Sequence, residues 1–120
     1  MPVFYVKKEF LDALKKGIKT AEIRVGASWS RVAEKIINKE IKPIAIFKWR
    51  DRVILREIYR VDIYPSIRRA LANGRWRKLG LKAKTYEEAI AEISKLYLNK
   101  KTGPAVIFWL KKLRVGNTSR

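Results

Sequence analysis

The chain has no cysteine and no histidine in its 120 residues. The first absence excludes disulfides and thiolate metal sites. The second removes the commonest metal ligand and the commonest general base. Glutamine is missing too, and methionine occurs once, at position 1. Acidic residues are scarce: 11 Asp plus Glu stand against 29 Lys plus Arg, for a formal net charge of +18. No Asp/Glu cluster points to a two-metal site, so neither a metal nor a cofactor is expected. No apolar run approaches the ~20 residues of a membrane span, and no hydrophobic leader opens the chain. A cytoplasmic protein is expected.

What is present fits one small domain, read as residues 1–113 with a tail at 114–120. Apolar residues make up 48% of the chain, enough for a single core. A surface rich in Lys, Arg and Glu and poor in labile residues is typical of thermophile proteins. Ion-pair networks need both signs, however, and this chain is overwhelmingly positive. The excess of cations points to a polyanionic partner.

Val3–Val6 reads as a first strand, and Phe10, Leu11 and Leu14 give a short helix one apolar face. Gly17 is placed to take the left-handed turn that ends it. From Thr20 to Val25 the pattern alternates. Ala21, Ile23 and Val25 fall on one face, and Glu22 and Arg24 share the other. Ser28 or Ser30 is expected to cap a second helix, with Trp29, Val32, Ala33, Ile36 and Ile37 at helical spacing. A strand over residues 44–50 and a turn at Asp51-Arg52 lead into a longer strand, 53–64. Its odd positions Val53, Leu55, Tyr59, Val61 and Ile63 are apolar, as in a half-buried antiparallel strand. A short helix over 66–73, a basic stretch over 75–84 and a capping box at Thr85–Glu88 follow. The helix from Thr85 buries Tyr86, Ala89, Ile90, Ile93 and Tyr97. Ala105–Leu110 suits a buried central strand. The central strands look hairpin-joined, and parallel pairing would need a long crossover, so a βαβ reading is set aside.

One run combines acid and base. Gly17, Lys19, Glu22 and Arg24 form G-x-K-x-x-E-x-R directly after the first helix. With this motif, the hairpin ending in Tyr64-Pro65, the helix from Thr85 and the closing apolar strand, the chain resembles an ASCH domain of the PUA-like superfamily over residues 3–113. The composition adds a thermophilic archaeal source to that resemblance. The resemblance implies an α+β fold, a PUA-like small β-barrel of about five mostly antiparallel strands with helices around a cleft. It also implies a role with RNA. The helix over 28–40 is longer than the family's usual connection.

In such a cleft, Lys19 is a compact charge suited to a phosphate oxygen, and Arg24 presents a bidentate fork. Glu22 orients either cation or accepts from an exocyclic amine. Beside two cations its pKa should fall. Arg75, Trp76, Arg77 and Lys78 place an aromatic ring among cations, the combination that single-stranded nucleic acid needs. Lys48 and Arg50, on one strand face, and the Lys100-Lys101 loop pair are further candidate contacts. The expected partner is RNA, or single-stranded DNA. The alternatives are a metal-independent ribonuclease with Lys19 and Glu22 as candidate catalytic groups, and an amidohydrolase acting on acylated cytidine. The amidohydrolases among ASCH proteins use a threonine that aligns here with Glu22, which weakens that reading.

Overall fold

The computed structural model describes residues 1–97 and 103–114. Five strands form one sheet: β1 (Val3–Tyr5), β2 (Ala21–Val25), β3 (Ile44–Trp49), β4 (Arg52–Tyr64) and β5 (Ala105–Lys111). Their spatial order is β1-β3-β4-β5-β2. Four helices accompany them: α1 (Lys8–Lys15), α2 (Ala27–Ile37), α3 (Ile67–Leu71) and α4 (Tyr86–Leu96), with a 3-10 turn at Arg75–Lys78. The fold is α+β, and the sheet curls into a half-barrel.

Three pairings are antiparallel, but β1 runs parallel to β3. The sheet is therefore mixed. The parallel pair corrects the dismissal of a long crossover, because the chain from β1 to β3 passes through α1, β2 and α2 before it pairs. The central hairpin is as expected, except that its two-residue turn is Arg50-Asp51, with Trp49 opposite Arg52. Arg50 takes the left-handed conformation there, with φ of 55°.

Each sheet face carries its own core. On the concave face, Phe4, Phe47 and Phe108 are fully buried under α1 and α2. Phe4 stacks on Phe47 and on Trp29 at 5.0 Å between ring centres. Complete burial of one such side chain is worth about 1.5–3 kcal/mol. On the convex face, Ala21, Ile23 and Val25 of β2, with Ala105 and Ile107 of β5, pack under α3, α4 and the 3-10 turn. The alternation read for β2 is thus realised.

Three sequence expectations are corrected. Helix α2 starts at Ala27 behind Gly26, so Ser28 and Ser30 lie inside it, and the Ser30 hydroxyl donates to the Ala27 carbonyl. Ile37 is exposed at its end. Along β4 the odd positions Val53, Leu55, Tyr59 and Ile63 are exposed, while Ile58 is buried. A bulge between Ile58 and Arg60 places two residues opposite Trp109, which switches the inward parity along the strand.

Candidate nucleic-acid interface

The sheet does not close. Its two edge strands, β1 and β2, face each other across a seam, and a cleft of about 330 Å³ lies there. Tyr5, Val6 and Phe10 form one side, and Leu79, Leu81, Ile93, Leu96 and Tyr97 form the other. Lys19, Glu22 and Arg24 line it at β2.

Local sequence explains how these three meet. Gly17, with φ of +79°, ends α1 in the left-handed region, where an L side chain is strained. The Lys19 N–H then bonds the Ala13 carbonyl, and the Thr20 N–H bonds the Lys78 carbonyl, so the chain enters β2 held on both sides. Glu22 and Arg24 then share the concave face of β2.

Lys19 is 4% exposed and Glu22 is 5% exposed. Lys19 Nζ lies 2.7 Å from Glu22 Oε1 and donates to the carbonyls of Ala21 and Leu79, both at 2.9 Å. These three contacts match the three donors of an ammonium. Gly80 makes this fit possible: a Cβ there would lie 2.9 Å from Lys19 Cβ. Arg24 Nε donates to Glu22 Oε2 at 2.7 Å, and Arg24 Nη2 donates to the Tyr5 carbonyl at 3.1 Å. The guanidinium also lies over the rings of Phe4 and Trp29 at 5.1 and 5.3 Å. Its Nη1 makes no hydrogen bond among the described residues. Burial alone would push the Glu22 carboxyl up, but the Lys19 ammonium and the Arg24 guanidinium outweigh it and hold the pKa below the ordinary value. Burial acts against the charge of Arg24, and Glu22 more than offsets it, leaving that pKa raised.

The free edge of β2 adds main-chain groups. Thr20 and Gly26 bond toward β5 and its flank, so alternation turns the N–H and C=O of Ala21, Ile23 and Val25 outward. The Ala21 carbonyl takes Lys19, and the Ile23 carbonyl accepts from the Tyr97 hydroxyl at 2.9 Å. Burial raises the Tyr97 pKa, against the nearby Arg24, so its hydroxyl stays protonated.

The other sequence candidates are dispersed. Trp76 is 8% exposed and belongs to the convex-face core, so its ring has no open face for a base, contrary to the expectation. Arg75 is committed to the C-terminal end of α3: it donates to the carbonyls of Ala70 and Arg69 and covers the Tyr64 ring. Arg77 lies over the Trp76 ring, and Lys78 is exposed. Arg50 sits at the hairpin tip over Trp49, and Lys48 is half-buried on the convex face beside Tyr5. Lys100 lies outside the described residues. Of the nine candidates among the described residues, only Lys19, Glu22 and Arg24 line the cleft. The cleft walls come from four separated segments, which sequence alone does not bring together; Tyr97, expected in the core, packs against it and lines the cleft as well.

No protein-family model matches the chain, and no curated protein resembles it closely enough in sequence to match. Among solved structures it is similar in fold to hypothetical protein PH0355, from Pyrococcus, with a TM-score of 0.68 at 18% identity, covering 93% of this chain and 98% of that one. It is also similar to protein PF0455 from Pyrococcus furiosus, with a TM-score of 0.63 at 22% identity, covering 96% of this chain and all of that one.

Proposed function

We propose that this protein is an RNA-binding module of the ASCH type, in the PUA-like superfamily, and that unpaired RNA enters the cleft between β1 and β2. The observation that carries the reading is the make-up of the cleft in a chain of charge +18. Its volume sits at the low end of small-molecule sites, roughly 300–1,000 Å³, so it suits one splayed-out base better than a duplex. Apolar walls take the flat faces of the base. Its edge meets donors at Arg24 Nη1 and the outward Ile23 N–H, with the Glu22 oxygens as acceptors. Lys19 serves by fixing Glu22, because its own donors are occupied. The phosphates are drawn by the basic surface as a whole, and that part of the affinity falls with salt. The reading is of a protein acting in the cytoplasm of a thermophilic archaeon, a source that the composition and the Pyrococcus origin of the fold neighbours support.

Ribonuclease action in the same cleft is the lesser reading. Lys19 would have to release a main-chain carbonyl before it stabilised a phosphorane, and Glu22 is tied to both cations.

Fluorescence anisotropy with a labelled single-stranded RNA tests the binding reading. Leu96 lines the cleft and is exposed, so Leu96→Glu places a carboxylate at its mouth without emptying the core. Ala91→Glu makes the same charge change on an exposed position of α4 away from the cleft. The expected result is a loss of about tenfold, equivalent to ~1.4 kcal/mol, for Leu96→Glu alone. Equal losses would mean diffuse charge attraction. The RNA should be recovered intact; shortening abolished by Lys19→Ala would favour the ribonuclease instead.

A further inference from the structure

We infer that the uncovered half of the convex sheet face is a second contact surface for the same single-stranded RNA, one that stacks bases flanking the one in the cleft. This rests on the RNA-binding reading above and extends it to a different surface.

Register places the residues except Tyr59, which sits unpaired in the β4 bulge, borders the hollow beside the end of α2, and is tied to this face by Lys111. Tyr5 pairs with Lys48 and Lys48 with Val53; Val3 pairs with Ile46 and Ile46 with Leu55. Directly paired residues share a face. This is the face that carries Ile107 and Trp109 of β5, because Lys111 pairs with Glu57, two residues beyond Leu55 on β4. Over β5 and β2 that face is covered by α3, α4 and the 3-10 turn. Over β1, β3 and the first half of β4 no described element covers it. Tyr5 is 72% exposed and Tyr59 is 54% exposed. Val53 and Leu55 are exposed between them. An apolar patch of this kind on a cationic protein marks a site of interaction.

Charge chooses the occupant. Lys48 stands within the patch, and Lys111 Nζ lies 5.7 Å from the centre of the Tyr59 ring. Glu57 is the one carboxylate on these rows, and Lys111 pairs with it at 3.6 Å. A second copy of a chain with charge +18 would be repelled, whereas a polyanion is attracted. A ligand that is both anionic and rich in flat apolar rings is a single strand with its bases unpaired. Continuity with the cleft is provided by Tyr5, which lines the cleft and opens onto the patch. Val53 and Tyr59 lie about 20 Å apart along β4, from the rise of ~3.3 Å per strand residue, and Tyr5 stands two strands, about 10 Å, to the side of Val53. A span of that size holds several nucleotides.

The test uses residues of the patch that do not line the cleft. Affinity of the full chain is measured for a short uridine oligonucleotide and for an abasic oligonucleotide of equal length, with Tyr59→Leu, Tyr59→Phe and Lys48→Ala. Both positions leave the core untouched, and Tyr59→Phe keeps the ring. Tyr59→Leu should weaken uridine binding about tenfold and leave abasic binding unchanged, while Tyr59→Phe binds as the parent does. Lys48→Ala should lower the salt slope by about one phosphate contact. Tyr59→Leu binding uridine like the parent, or losing both probes alike, would overturn the inference. So would sedimentation showing a dimer of the free protein that Tyr59→Leu dissociates. Leu96→Glu reports on the cleft in the same assay: if it alone weakens binding, the cleft stands and the patch fails; if Tyr59→Leu alone weakens uridine binding, the patch stands and the cleft fails.

Discussion

Arg24 Nη2 donates to the main-chain carbonyl of Tyr5 at 3.1 Å, and this bond joins the two edges of an otherwise open sheet. The same guanidinium neutralises Glu22 and lies over Phe4 and Trp29. One side chain therefore fixes the width of the seam in which the cleft lies.

Arg24→Lys should not behave as a conservative change. An ammonium cannot reach Glu22 and Tyr5 together as the planar fork does. Expected is a loss of about 1–3 kcal/mol in urea denaturation, the cost of leaving a part-buried polar partner unpaired. Amide exchange in β1 should quicken more than in β4. Unchanged exchange in β1 would show that packing alone holds the seam.

Glu22→Gln should be more costly, about 3–5 kcal/mol, since it leaves the buried Lys19 and the half-buried Arg24 without a counter-ion. Its pH dependence has a defined sign. The folded pKa of Glu22 lies below its ordinary value of 4.5, so its contribution is complete above that pH and is lost as pH falls through the folded value. The stability gap between the parent and Glu22→Gln, followed by urea midpoints, should hold steady near neutrality and narrow in acid below 4.5. A gap that widened on acidification would contradict the charge assignment.

Gly80→Ala and Gly17→Ala separate two costs. Both positions have positive φ, +71° and +79°, and both substitutions incur about 1–2 kcal/mol of left-handed strain. At Gly17 an added Cβ meets nothing within 4 Å. At Gly80 it meets Lys19 Cβ at 2.9 Å and Ala13 Cβ at 3.3 Å. Gly80→Ala should thus be the more destabilising by at least about 1 kcal/mol, in the range for overpacking. Equal losses in thermal melts would mean that the Lys19 turn yields freely.

What the sequence disclosed is what local chemistry governs. The alternation in β2 put Glu22 and Arg24 together, and Thr85 caps α4 by accepting from the Glu88 N–H. Likewise the short helix read over 66–73 is present as α3, where the structure adds a cap from Ser66. The unread parts depend on distant partners. Nothing near Lys19 announces that its ammonium ends on the Leu79 carbonyl, sixty residues away. Trp76 lies among cations in sequence, yet its 3-10 turn directs it into the core. The apolar alternation of β4 was visible, but which face is covered depends on the bulge beside Tyr59 and on where α3 and α4 settle.

The most direct measurement of the central claim is a titration of the isotope-labelled chain with short single-stranded RNA, following each backbone amide by NMR. The expected result is that Ile23 on the free edge of β2, with Leu81 and Leu96 across the cleft, shifts first and saturates together. Shifts scattered over the basic surface, with those three amides unmoved at saturation, would contradict a cleft built to receive RNA.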